Sequence, residues 1–239
     1  MSRTTGGTTG GTTARATARA TARAALGLYA GLPLTTRAHV LLRWLSCPFP
    51  AVAAAVPMRG RILEVGCGHG LFAAYLSLGS GQRSVLGVDI DAAKISQARV
   101  AAGRGRARGA DLRVDVGSAG HIPAGPWDAI VIVDVLYLLA HEAQRSLLAG
   151  CARELAPGGV LVVKEMGTTP RWKHRWNVAQ ETLAVRVLRI TAGGGQPFTF
   201  LAPPAIADVL RHEGLETSTT AVDRHRPHPH HVVVGRRGR

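Results

Sequence analysis

Gly66, Gly68 and Gly70 occupy alternate positions directly after the apolar run Arg61-Ile-Leu-Glu-Val. The chemistry such a turn supports is recognition by backbone. Glycine lacks a Cβ, accepts φ > 0 and lets a ligand lie against the main chain. The helix expected next also opens with unpaired N–H groups. A nucleotide-like ligand suits that cradle, and a purely structural turn is the rival reading. The spacing departs from the dinucleotide fingerprint G-x-G-x-x-G: the third glycine arrives one residue early, and Leu71 stands where the fingerprint would have it.

Carboxylates recur at the ends of apolar runs. Glu64 sits inside the first run, Asp89 closes Val-Leu-Gly-Val-Asp, Asp115 closes Leu-Arg-Val-Asp, and Asp134 follows Ile130 to Val133. In an open α/β sheet the ligand lies beyond the carboxyl ends of the strands, so each acid is placed to face one. Asp89 can accept hydrogen bonds from vicinal ribose hydroxyls. A helix N-cap is its alternative, but Asp91 is the better cap.

The pattern that must position these groups is an alternation. Strands are expected at 61–65, 84–89, 112–115, 128–133 and 160–164, with helices at 69–78, 91–102, 141–155, 171–190 and 203–213 between and after them. A basic Gly/Arg loop is expected at 103–109. Strands at 217–222 and 231–235 close the chain, and the short Pro/His turn between them has no room for a crossover helix, so they should be antiparallel. The fold class is therefore α/β, a doubly wound seven-stranded mostly parallel sheet with one antiparallel strand near the edge and helices on both faces. Residues 1–25 form a low-complexity Thr/Gly and Ala/Arg stretch with almost no large apolar residue. They are expected to be a disordered basic tail, although Ala and Arg both favour helix. Residues 26–58 should be a helical cap segment, and 59–239 the ligand-binding domain.

The E-x-G-x-G-x-G turn, together with seven strands of which one is reversed near the edge, resembles class I S-adenosylmethionine-dependent methyltransferases. The resemblance covers about residues 60–236. It implies S-adenosylmethionine as cofactor, held by Glu64, Gly66, Cys67, Gly68 and Gly70 at the turn and by Asp89 at the ribose. It places Ile90 against the adenine face, Asp115 and the Val116 backbone at the adenine amino group, and Asp134 near the methionine part or the reacting methyl. The Asp/Asn-Pro-Pro-Tyr/Phe form used on nucleic-acid amino groups is absent, because Val135, Leu136 and Tyr137 follow Asp134. No motif fixes a catalytic base. Tyr137, His141, Glu165 and His174 are candidates, each with a surface or capping role as its alternative. Trp44, Trp172 and Trp176 could line an apolar acceptor pocket or simply pack on the core. Arg171, Lys173, His174 and Arg175 form either an anion site or a solvated face.

Composition narrows the partners. The formal charge is +14, yet Lys94, Lys164 and Lys173 are the only lysines. So many Arg, Ala and Gly residues look like GC-rich coding bias, which suggests a bacterial chain and weakens the case for a nucleic-acid partner. Cys47, Cys67 and Cys151 are scattered and lack C-x-x-C spacing, against a disulfide framework or zinc site. His225, His228, His230 and His231 are interrupted by Pro227 and Pro229, and are placed at the last hairpin, away from the cleft; no metal is expected. The apolar stretch 40–57 carries Arg43 and three prolines, too broken for a membrane span. A cytoplasmic enzyme acting on a small, fairly apolar metabolite is the leading expectation. RNA or protein methylation, a non-catalytic binding module, and peripheral membrane contact through 34–56 are the alternatives. Oligomeric state is not fixed by any of these features.

Overall fold

The computed structural model describes residues 9–166, 199–222 and 230–239. Its frame is one seven-stranded sheet in the order β3-β2-β1-β4-β5-β7-β6. The strands are β1 (Gly60–Val65), β2 (Arg83–Asp89), β3 (Asp111–Val116), β4 (Trp127–Val133), β5 (Leu155–Met166), β6 (Glu216–Ala221) and β7 (His230–Arg236). Strands β1 to β5 pair in parallel, while β7 runs antiparallel to both β5 and β6. The expected architecture is thus the observed one, with the reversed strand next to the edge.

The central strands read as unbroken apolar runs because helices cover both faces. Along β4, Ala129, Val131 and Val133 belong to one core and Ile130 and Ile132 to the other, as the two-residue period of a strand requires. The first core is closed by α1 (Thr9–Gly27), α3 (Phe49–Ala53), α4 (Leu71–Leu78) and α5 (Ala92–Arg106), and the second by α6 (His141–Arg153) and α7 (Pro203–His212). Helix α5 opens with Asp91 as N-cap, its side chain accepting from the Ala93 and Lys94 N–H groups.

Two expectations change here. From Thr9 the N-terminal stretch is helix rather than disordered tail. Alanine is the best helix former, and Ala22 and Ala25, small enough for close approach, are buried in the first core with Leu28 and Tyr29 just beyond. The basic segment 103–109 is mostly the last turn of α5 rather than a free loop. Its arginines are engaged with main chain: Arg104 donates to the Leu28 and Ala30 carbonyls, Arg106 to Leu112 and Arg108 to Ala24. They tie the end of α5 to α1, to the segment after it and to β3. The expected helix at 171–190 lies outside the described residues.

The N-terminal segment also supplies α2 (Leu34–Ser46). On its inward face Thr36 meets Gln97 of α5, His39 meets His69 of the glycine turn with ring centroids 4.9 Å apart, and Arg43 reaches Asp134 after β4. The helix therefore crosses the carboxyl edge of the sheet above the point where strand order reverses between β1 and β4, the place where open α/β sheets bind ligands.

Candidate functional site

Strand β1 ends in the glycine turn. Gly66, Gly68 and Gly70 all have positive φ, at 75°, 55° and 73°. The three glycines serve different ends. A Cβ on Gly66 would collide with Val135, whereas one on Gly68 would meet nothing within 4 Å. Gly68 therefore leaves open space above the backbone, which is what a ligand lying on the turn needs. Gly70 is the N-cap of α4. Tyr29 fixes the turn from behind, its hydroxyl donating to the His69 carbonyl at 2.6 Å. Cys67 is buried, and burial raises its thiol pKa well above the ordinary value. It fills space; its Sγ would stand 2.9 Å from a Cβ at Gly87, which explains the glycine within β2.

Asp89 ends β2 beside this turn. Its carboxylate accepts from the Gly68 N–H at 2.7 Å and from the Asp91 N–H at 2.9 Å. One acid thus holds the turn and the start of α5 in register, with lone pairs remaining on both oxygens. Ile90 next to it is 60 % exposed, and Val116, its counterpart at the end of β3, is 47 % exposed. Apolar groups left open beside a polar turn suit a flat ring. Asp115 is exposed and pairs with Arg99 at 3.1 Å.

Glu64 lies beneath the turn. It is buried, and its Oε2 has no hydrogen-bond partner among the described residues. Burial pushes its pKa up from 4.5 to about 8, reinforced by the Asp89 charge and opposed by the Ala73 N–H and Arg43. Burial likewise lowers His39 to about 4 and lowers His69. The histidines make stability rise with pH only below their ordinary pKa of 6.5. Above that, the unfolded chain has lost the proton that folded Glu64 keeps, so stability falls as pH rises toward 8. Glu165 acts in the same direction. We expect the melting temperature to drop between about pH 6.5 and 8 and the drop to lessen in Glu64→Gln. An identical slope in that variant, read by calorimetry, would refute the assignment.

Beyond β4 a charged cluster closes the cleft floor. Asp134 has φ 56°. Its carboxylate pairs with Lys164 of β5 and, at 2.9 Å, with Arg43 of α2. Burial opposes its ionisation, but those two cations outweigh it and hold its pKa below the usual carboxylate range. Glu165 is also buried, and its pKa is raised by burial and by the Asp134 charge. His230 is buried at the start of β7, within electrostatic reach of Asp134. The sequence places this histidine away from the cleft. Because β7 is antiparallel, its first residue stands opposite Met166 at the carboxyl end of β5.

The catalytic and acceptor-site candidates divide. Glu165 accepts from the Val135 and Leu136 N–H groups at 3.0 and 2.8 Å, capping the 3-10 turn Leu136–Leu138. That is a positioning role. Tyr137 is stacked on Phe200, with centroids 5.5 Å apart. His141 is exposed at the first residue of α6. Trp44 packs against Phe49 and Tyr75 rather than on the glycine turn. His174, Trp172 and Trp176 lie outside the described residues, as do Arg171, Lys173, Arg175, His225 and His228. Tyr29, Arg43 and Lys164 went unassigned from sequence. Only Lys164 carried a signal, as a cation within the buried run Val-Val-Lys-Glu.

A family model described as a methyltransferase domain matches residues 62–159. No curated protein sequence matches the chain. An O-methyltransferase family protein from Burkholderia thailandensis superposes with a TM-score of 0.65 at 18 % identity, over 83 % of this chain and 57 % of that one. The S-adenosylmethionine-dependent methyltransferase SibL in its apo form gives 0.66 at 21 %, over 86 % and 58 %. Magnesium protoporphyrin IX methyltransferase from Synechocystis PCC 6803 with bound S-adenosylhomocysteine gives 0.59 at 17 %, over 80 % and 82 %. The chain spans less than two thirds of the length of the first two, and at these identities the likeness speaks for the fold. The cradle fits the cofactor of that fold on three grounds: open space above Gly68, an orphaned buried acceptor at Glu64, and Asp89 beside exposed apolar Ile90. Residues 62–159 thus match the model of a methyltransferase domain, and the described chain has the class I S-adenosylmethionine-dependent methyltransferase fold.

Proposed function

We propose that this chain binds S-adenosylmethionine across the glycine turn and transfers its methyl group to a small, fairly apolar metabolite. The observation that carries the reading is Asp89, whose carboxylate is clamped to the turn by the Gly68 N–H while keeping lone pairs for ribose hydroxyls. Ile90 and Val116 would flank the adenine, and Asp115 its amino group. Glu64 would receive the methionine ammonium, and Asp134 would face the reacting end. The cofactor supplies an activated methyl on a sulfonium, so the protein's task is orientation and exclusion of water. Helix α2 serves that task by lying across the site with Thr36, His39 and Arg43 turned inward. Such a cover favours an acceptor small enough to enter beneath it.

The charge of +14 favours a second reading, methylation of RNA or protein. Against it, Arg104, Arg106 and Arg108 are engaged with backbone carbonyls. Isothermal titration should show binding of S-adenosylmethionine and S-adenosylhomocysteine, and no binding of either would sink the proposal. A gel shift with RNA that fades steeply with salt would transfer the acceptor to the second reading.

A further inference from the structure

Helix α2 turns leucines outward. On its inward side Val40 enters the core, while Thr36, His39 and Arg43 are polar and engage the cleft. Leu34, Ala38, Leu41 and Leu42 recur at helical spacing on the opposite side, and the three leucines are 76 %, 48 % and 63 % exposed. Neighbouring large apolar groups at such exposure mark an interaction surface rather than ordinary scatter.

Charge selects the occupant. The first 63 residues contain no Asp or Glu, while Arg19, Arg23 and Arg37 are exposed on α1 and α2. A second copy docked face to face would set arginine against arginine with no carboxylate from this segment between them. An anionic lipid surface supplies both missing partners, acyl chains for the leucines and phosphates for the arginines, the combination that holds amphipathic helices at a bilayer interface. No described helix is long and apolar enough to cross a membrane, which leaves attachment along the surface. We infer that the outer face of α2 docks this protein on anionic bilayers, through Leu34, Leu41 and Leu42 with Arg37 beside them.

The inner face of the same thirteen-residue helix spans the cleft, so docking would set the mouth of the site at the headgroup layer. The inference does not depend on methyl transfer, because membrane attachment needs no cofactor. Flotation of the full chain with phosphatidylcholine vesicles, with and without phosphatidylglycerol, tests it. The protein should rise with the anionic vesicles, less so in high salt. Leu41→Ser/Leu42→Ser should cut the bound fraction's partition coefficient about ten-fold or more while S-adenosylhomocysteine affinity, which reports an intact fold, stays unchanged. Wild-type protein left at the bottom of the gradient would overturn the inference. So would a variant that folds and floats like wild type, or light scattering that shows a wild-type dimer split by the same substitutions.

Discussion

Asp89→Ala is expected to weaken S-adenosylmethionine binding about 100-fold, since hydrogen bonds to a charged acceptor contribute about 1.5–3 kcal/mol each and 1.4 kcal/mol is tenfold. Two losses combine. The ribose hydroxyls lose their acceptor, and the Gly68 and Asp91 N–H groups lose theirs, so the turn itself loosens. Asp89→Asn separates these effects. Its single carbonyl oxygen can keep one of the two backbone bonds but carries no charge, and its affinity should fall between wild type and alanine. Calorimetric titration measures both variants. Wild-type affinity in Asp89→Ala would remove this acid from the cofactor site, whatever the fate of the acceptor proposal.

Asp134→Asn should destabilise the fold by about 3 kcal/mol, the lower end of the range for breaking a buried ion pair. Side-chain exposure is 5 % at Asp134 and 1 % at Lys164, so the substitution strands an ammonium without its nearest counter-ion. The loss stays at the lower end because Glu165, freed from the Asp134 charge, ionises more readily and partly compensates. Asparagine tolerates positive φ, so the strained backbone at this position is spared and the change reports charge alone. Denaturant titration gives the difference. The companion Asp134→Asn/Lys164→Met should recover much of it, as paired buried charges often can be replaced without loss. A double variant no better than the single would show that packing, not charge, is at stake.

The strand–helix alternation and the glycine turn were legible because their signals are local. Runs such as Ile130 to Val133 declare a strand covered on both faces, and alternate glycines declare a backbone that must take positive φ. Asp89 and Asp134 were legible as acids closing apolar runs. The N-terminal helix is not legible in composition, for an equally physical reason. Composition counts large apolar residues, whereas Ala22 and Ala25 stabilise α1 by allowing close approach to a partner that composition does not reveal. The Arg-rich end of α5 is not legible locally, because the carbonyls that receive its guanidinium groups lie on α1, on the segment after it and on β3.

By itself, then, the sequence determined the sheet, the turn and the acids at its carboxyl edge, since each follows from periodicity or from a requirement at one backbone position. Tertiary structure decided what surrounds them. Arg43 meets Asp134 across 91 positions, Tyr29 reaches His69 across 40, and Lys164 joins Asp134 across 30. Reversal of β7 carried His230 to the cleft floor, and the three inward anchors of α2 turned its leucines outward. Contacts between distant residues obey no local period, and a charge is paired or stranded only once the chain has packed around it.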